Sequence, residues 1–226
     1  MKGKLYGVGV GPGDPELLTL KALRLIKECP VIGIPGKDPK KSVALEIVRG
    51  AYPEIDNKEL LMIATPMTKD MDVLNEGYRK AAELIEEVLD GGRDVAVLTL
   101  GDPTVYSTYI YMQRFVVEGG YEAEIVSGIT SFCATAAKFC DSLGDREEMI
   151  HIIPASYQIE EALRLPGTKV LMKAGSKLGN VKATLKKTGQ KAVMIEDCGM
   201  KTEKMYYSVD EMPEEGSYYS LTIVKD

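Results

Sequence analysis

Tryptophan is absent from the 226 residues, phenylalanine occurs three times and histidine once. Without Trp, and with aromatic content carried by twelve Tyr, there is no aromatic girdle of the kind that marks a membrane interface. No stretch approaches the roughly 18 apolar residues that a membrane-crossing helix needs. The opening MKGKLYGVGVGPGDP breaks into glycines before the apolar core of a signal peptide can build. The single histidine, His151, excludes a multi-histidine metal site and leaves a Ser-His-Asp triad only one place to form. Cys29, Cys133, Cys140 and Cys198 show neither a CxxC pair nor the short spacing of a metal knuckle. They read as reduced, mostly buried thiols of a cytoplasmic protein. Basic residues are also in the minority: 28 Lys and Arg against 34 Asp and Glu give a net charge of −6. Such a chain is not expected to grip nucleic acid, although a local basic patch for a small anion remains open.

What is present is ordinary for a soluble globular chain: 45% hydrophobic and 27% charged residues. The length allows one compact unit, or two subdomains of roughly 100 residues each. Apolar runs rich in β-branched residues alternate with stretches of helical period. KLYGVGV (4–10), PVIGIP, LLMIAT, DVAVLTL and EAEIV read as strands, and DVAVLTL, apolar throughout, as a central one covered on both faces. ELLTLKALRLIKE is amphipathic through Leu20, Leu23 and either Ile26 or Lys27, with Asp14 and Pro15 as a start signal. SVALEIVRGAY, NEGYRKAAELIEEVLDGG, TVYSTYIYMQRFVVEGG and ITSFCATAAKFCDSL read as helices. NEGYRKAAELIEEVLDGG is the clearest, with Tyr78, Ala81, Ala82, Ile85 and Leu89 on one face. The alternation resumes through MIHIIPA, SYQIEEALRL, TKVLMK, LGNVKATLKKTG and KAVMIED. It closes on EKMYYSV and SYYSLTIV, read as an antiparallel hairpin joined across MPEEG. The pattern predicts an α/β fold with largely parallel sheets and a seam near residues 120–150, dividing the chain into 1–126 and 127–226.

Three loops draw attention. GVGVGPGDP fails the G-x-G-x-x-G spacing, because the last position falls on Pro12 or on Asp14, and VIGIP ends without the acidic residue that would hold a ribose. A nicotinamide cofactor is therefore not expected, and no G-x-x-x-x-G-K-[ST] occurs to cradle a phosphate. What remains is a glycine and proline loop at a strand's carboxyl end, where open α/β sheets bind ligands. Next, LTLGDPTVYSTYIYM (98–112) delivers Gly101, Asp102 and Pro103 to the same edge. Asp102 either caps the following helix or marks a backbone kept bare for a ligand, with the Tyr106 hydroxyl nearby. Finally, SGITS (127–131) opens a helix containing Ala134, Ala136 and Ala137, small enough for close approach.

In this order, GxGPGDPELLTLKA, then GDPTVYST about ninety residues on, then GITS, the chain resembles the tetrapyrrole methylase family. The resemblance runs through MIHIIPAS, TKVLMKAG and the closing SYYSLTIV. Within that family, GDPTVYSTYIYM together with the length looks most like the branch that methylates carbon 20 of precorrin-2 or of cobalt-factor II on the route to cobalamin. One departure is Ser127, where the family usually has proline before Gly-Ile-Thr. The resemblance implies two α/β domains with S-adenosylmethionine, and its product S-adenosylhomocysteine, folded in the cleft between them, and a homodimer. Carried over by position, Pro12, Gly101, Asp102 and Val105 line the cofactor site, followed by Thr130 and Ser131. Met172 and Ser220 match contacts from the second domain. Tyr106 is added from its place just after Gly-Asp-Pro.

The reaction so implied is transfer of a methyl group from a sulfonium to a nucleophilic meso carbon. The small molecules supply nucleophile and leaving group, and the protein supplies alignment in a dry cleft. Loss of the meso hydrogen invites a general base, for which Asp102, Tyr106 and, remotely, His151 are the candidates. The substrate's carboxylates call for a basic trough, for which Lys37, Lys40 and Lys41 are the candidate cluster; the plain alternative is a solvated loop. Two other functions are compatible with the same residues. One is a family member with another acceptor, a later precorrin or a modified histidine of a protein. The other is a non-catalytic nucleotide-binding α/β protein.

Overall fold

The computed structural model describes residues 2–66, 68, 70–154 and 159–225. The chain divides into two compact units, Met1–Thr130 and Ser131–Asp226.

In the first unit, five strands alternate with four helices: β1 (Leu5–Gly9), α1 (Leu20–Glu28), β2 (Val31–Pro35), α2 (Val43–Ala51), β3 (Glu59–Ile63), α3 (Met71–Asp90), β4 (Val95–Thr99), α4 (Tyr109–Glu118) and β5 (Ala123–Val126). The sheet order is β3-β2-β4-β1-β5 and every pairing is parallel. All five residues of β4 are buried, as befits an apolar central strand. On one face, Val8, Ile32, Ile34, Ala96 and Leu98 pack against α1 and α2. On the other, Leu5, Val31, Val95 and Val97 pack against α3 and α4. The chain therefore leaves β1 toward one face and its neighbour β4 toward the other. That reversal opens a crevice between their carboxyl ends, the place where open α/β sheets receive ligands.

Two helices start later than their sequence pattern predicts. The Asp14 carboxylate accepts the Glu16 N–H and closes a separate turn over Pro15–Leu17. Thr19 then caps α1 through the Ala22 N–H at 3.1 Å. The buried stripe is accordingly Ala22, Leu25 and Ile26, and Leu20, expected on it, is 87% exposed. Residues 104–108 likewise form a loop, and α4 begins at Tyr109.

The second unit contains α5 (Ser131–Lys138), β6 (Ile150–Pro154), α6 (Ile159–Ala162), β7 (Thr168–Met172), α7 (Leu178–Thr188), β8 (Lys191–Glu196), β9 (Lys204–Tyr206) and β10 (Ser220–Lys225). The start of the helix expected over SYQIEEALRL falls on 155–158, outside the described residues. The sheet order is β6-β7-β10-β8-β9. Only β6 and β7 are parallel; β10 runs antiparallel to both β7 and β8, and β9 antiparallel to β8. The expected closing hairpin does not form, and this sheet is not largely parallel. β10 is buried along five of its six residues, with Leu221, Ile223 and Val224 apolar, so it takes the centre, whereas the three-residue, partly exposed β9 caps an edge. α7 seals one face through Leu178, Val181 and Leu185. Among the described residues no helix is long and apolar enough to cross a membrane. Of the four cysteines, Cys29 and Cys198 are buried and Cys133 and Cys140 exposed.

The first unit rests on a contact that admits no side chain. A Cβ on Gly128 would overlap the Gly101 carbonyl oxygen and lie 2.8 Å from the Gly9 backbone. Gly128→Ala is expected to destabilise the protein by about 2–3 kcal/mol in urea unfolding. A loss below about 0.5 kcal/mol would show that the loops separate without strain.

Candidate functional site

The loops that follow β1 and β4 are joined across the crevice. Gly11 and Gly101 exchange backbone hydrogen bonds, Gly101 N–H to Gly11 O at 2.8 Å and Gly11 N–H to Gly101 O at 3.3 Å. Both residues have positive φ, +79° and +70°, which glycine adopts without the penalty a side chain brings. The segment after β5 closes on them, because a Cβ on Gly9 would sit 2.5 Å from the Gly128 nitrogen. The outer side of Gly101 is open by contrast: a Cβ there would meet nothing nearer than the Ile129 carbonyl at 4.0 Å.

Asp102 clamps this arrangement. One carboxylate oxygen accepts the Thr104 N–H at 2.7 Å and the Thr104 hydroxyl at 2.6 Å, and the other accepts the Gly128 N–H at 3.0 Å. The carboxylate thus folds residues 102–104 into a turn, which is why α4 waits until Tyr109. The residue is 8% exposed. Burial pushes its pKa up, but the hydrogen bonds from Thr104, Gly128 and the Ser127 side chain outweigh burial and hold it below the ordinary aspartate value. A carboxylate that is kept ionised and already occupied at both oxygens is a poor general base. Tyr106 follows at φ +49° and half exposed, on the loop rather than on a helical turn. The His151 Nε2 lies 2.9 Å from the Pro166 carbonyl on the edge strand β6, an engagement that accounts for the residue structurally.

The other expected residues fall into groups. Pro12 is buried in the first loop and Val105 is half-buried in the second, both at the β1/β4 crevice. Thr130 ends the first unit, two residues beyond Gly128, and its hydroxyl is buried without a hydrogen-bond partner among the described residues. Ser131 opens α5. In the second unit, Met172 at the end of β7 pairs with Leu221, which follows Ser220 in β10. The buried Ser220 hydroxyl also lacks a partner among the described residues. Lys37, Lys40 and Lys41 are exposed on the loop after β2, at the same sheet edge as the two glycine loops. They make no ion pair with a described residue.

Residues 4–212 match the model of the tetrapyrrole (corrin/porphyrin) methylases. The chain belongs to the tetrapyrrole methylase family. It is 36% identical over 228 residues to the "Probable cobalt-precorrin-2 C(20)-methyltransferase" of Methanocaldococcus jannaschii, covering 98% of this chain and 96% of that protein. It is 29% identical over 233 residues to the precorrin-2 C(20)-methyltransferase of a Sinorhizobium species, covering 98% and 95%. Among solved structures, the uroporphyrin-III C-methyl transferase from Thermus thermophilus complexed with S-adenyl homocysteine is similar with a TM-score of 0.71. The two chains are 23% identical, over 99% of this one and 92% of the other.

One residue of this methylase that motif reading passes over is Glu196, at the end of β8 and directly opposite Ser220 in β10. It is 6% exposed and accepts the Ser217 N–H at 2.6 Å and the Tyr206 hydroxyl at 2.9 Å. It thereby fixes the turn that leads into Ser220. The signal was present in the sequence as an acidic residue closing an apolar strand, KAVMIE, but its partners are ten and twenty-one residues away.

Because the folded pKa of Asp102 is depressed, its stabilising effect is present above the ordinary value of 3.8 and is lost as pH falls through the folded value. Asp102→Asn is expected to lower stability by about 2 kcal/mol at pH 7. Urea unfolding of both proteins as a function of pH should show that gap closing below about pH 4. A gap independent of pH would assign the loss to packing instead.

Proposed function

We propose that the protein transfers the methyl group of S-adenosylmethionine to carbon 20 of precorrin-2 or of cobalt-factor II on the route to cobalamin, releasing S-adenosylhomocysteine. The observation that carries this reading is the near-full-length likeness to two relatives named for methylation at that carbon. The local chemistry supports it. The open backbone at Gly101 suits close approach of a ligand, and the buried hydroxyls of Thr130 and Ser220, each without a partner among the described residues, suit a polar cofactor. Pro12, Gly101, Asp102, Val105, Tyr106, Thr130, Ser131, Met172 and Ser220 are the residues assigned to hold it.

Bound there, S-adenosylmethionine supplies an electrophilic methyl group on a sulfonium, and the electron-rich macrocycle supplies the attacking carbon. The chain's own part is orientation and exclusion of water. The paired glycine loops give a stiff backbone surface, and the Asp102 carboxylate keeps that surface in one shape. The Asp102 carboxylate is held ionised with both oxygens occupied, so the later loss of the meso proton is assigned to solvent rather than to this group. Lys37, Lys40 and Lys41 are assigned to the substrate's carboxylates. A homodimer in the cytoplasm is the assembly and compartment this reading carries with it.

The decisive experiment is anaerobic incubation with S-adenosylmethionine and precorrin-2 or sirohydrochlorin, each with and without cobalt, followed by mass spectrometry and NMR of the product. One added methyl group at carbon 20 is expected, and the cobalt requirement identifies the natural acceptor. Methylation of none of these acceptors, with cofactor still bound, would leave the family and remove this substrate. The residue assignments separate in kinetics. Charge reversal of the three lysines is expected to raise the acceptor KM about tenfold and the cofactor KM little. Thr130→Val is expected to give the opposite split, with about fivefold on the cofactor. Equal effects on both constants would defeat the assignments.

A further inference from the structure

At the end of the second sheet where β8 begins and β10 stops, α5 and residues 207–209 enclose a cavity of about 510 Å³. That size is typical of small-molecule sites. It lies roughly 16 Å along β8 from Glu196, at about 3.3 Å per residue, so it is distinct from the end that holds Ser220 and Met172. Its floor is apolar and buried: Ala136, Ala192 and Ile223 are 7%, 6% and 4% exposed. The rings of Phe139 and Tyr207, which line it, meet edge to face at 5.3 Å and 82°, a geometry that extends readily to a third aromatic ring.

The rim is charged in an unusual way. Lys191 and Lys225 stand directly opposite each other on neighbouring antiparallel strands, so their ammonium groups project from the same face. Like charges in that register oppose one another. Lys225 is matched by Asp141 at 3.0 Å, whereas Lys191 is in no ion pair among the described residues. The remaining polar lining, Ser142, Gln190 and Ser208, is neutral. Among the lining side chains, Lys191, Lys225 and Asp141 together carry one net positive charge above an apolar floor, while the carboxylates of Asp145 and Glu211 stand behind the lining, held by the Ser142 and Ser208 hydroxyls at 2.7 and 3.0 Å.

We propose that this cavity binds an aromatic carboxylate, its ring lying on Ala192 and Ile223 beside Phe139 and Tyr207 and its carboxylate bridging Lys191 and Lys225. A single negative charge gives Lys191 the partner that Lys225 already has in Asp141 and leaves the ring in apolar surroundings. The site is independent of methyl transfer and stands whether or not the proposed acceptor is correct.

The test uses the full chain with 2-naphthoate and its neutral counterpart 2-naphthalenemethanol, titrated by calorimetry and by amide NMR. One saturable naphthoate site per chain is expected, with a dissociation constant on the order of 0.1 mM. The alcohol is expected to bind about tenfold more weakly at low salt, and the difference to shrink at high salt. Shifted amides should cluster at 190–193, 207–209 and 223–225. Lys191→Glu should abolish the preference for the acid, whereas Tyr207→Ala should weaken acid and alcohol alike. Affinity for S-adenosylhomocysteine should not change in either variant. Equal binding of acid and alcohol by the unaltered protein, no saturation at millimolar probe, or shifts confined to other residues would overturn the proposal.

Discussion

The first unit is organised around one contact, the backbone-on-backbone packing of Gly9, Gly101 and Gly128 under the Asp102 carboxylate. Three segments far apart in the chain reach van der Waals distance there only because none carries a side chain. Asp102 then satisfies the N–H groups that such close packing would strand, Thr104 on one side and Gly128 on the other. The loop at 102–108, the late start of α4 and the placement of Thr130 all follow from that clamp. The bare backbone surface at these loops is in this sense a by-product of how two parallel strands and a third loop are forced together.

The same contact bears on the chemistry. Methyl transfer from a sulfonium asks for alignment and a dry, preformed surface more than for acid or base, and the molecule is built accordingly. Its most conspicuous buried carboxylate in the first unit is held ionised by hydrogen bonds and fully employed as a structural acceptor. In the second unit Glu196 does comparable work, tying Tyr206 and the turn before Ser220 to the end of β8. Both carboxylates serve as anchors for backbone that meets, on the reading offered above, the cofactor.

Much of this was legible in the chain, because it is local. Period and composition identify DVAVLTL as a buried central strand and NEGYRKAAELIEEVLDGG as an amphipathic helix, and the stripe of Tyr78, Ala81, Ala82, Ile85 and Leu89 is the one observed. The motif loops were recognisable as a set from their residues and spacing. In the first unit the departures come from side chains that cap backbone N–H groups two or three residues on and so divide a segment. Leu20 leaves the predicted stripe because the side chains of Asp14 and Thr19 break the segment into a turn and a helix. Residues 104–108 leave the helix because Asp102 captures Thr104.

By itself, then, the sequence determined the strand and helix inventory, the parallel first sheet and the three glycine-marked loops, since alternation, capping and turn chemistry act over a few residues. Only the tertiary structure decided that β10 slips between β7 and β8 rather than pairing with β9, since strand order depends on which apolar ladder can be covered from both sides. It likewise decided that Lys191 faces Lys225 over an apolar floor and that Glu196 grips a turn twenty-one residues away. Those relations exist between residues that share no local pattern, and burial, register and hydrogen bonding settle them together.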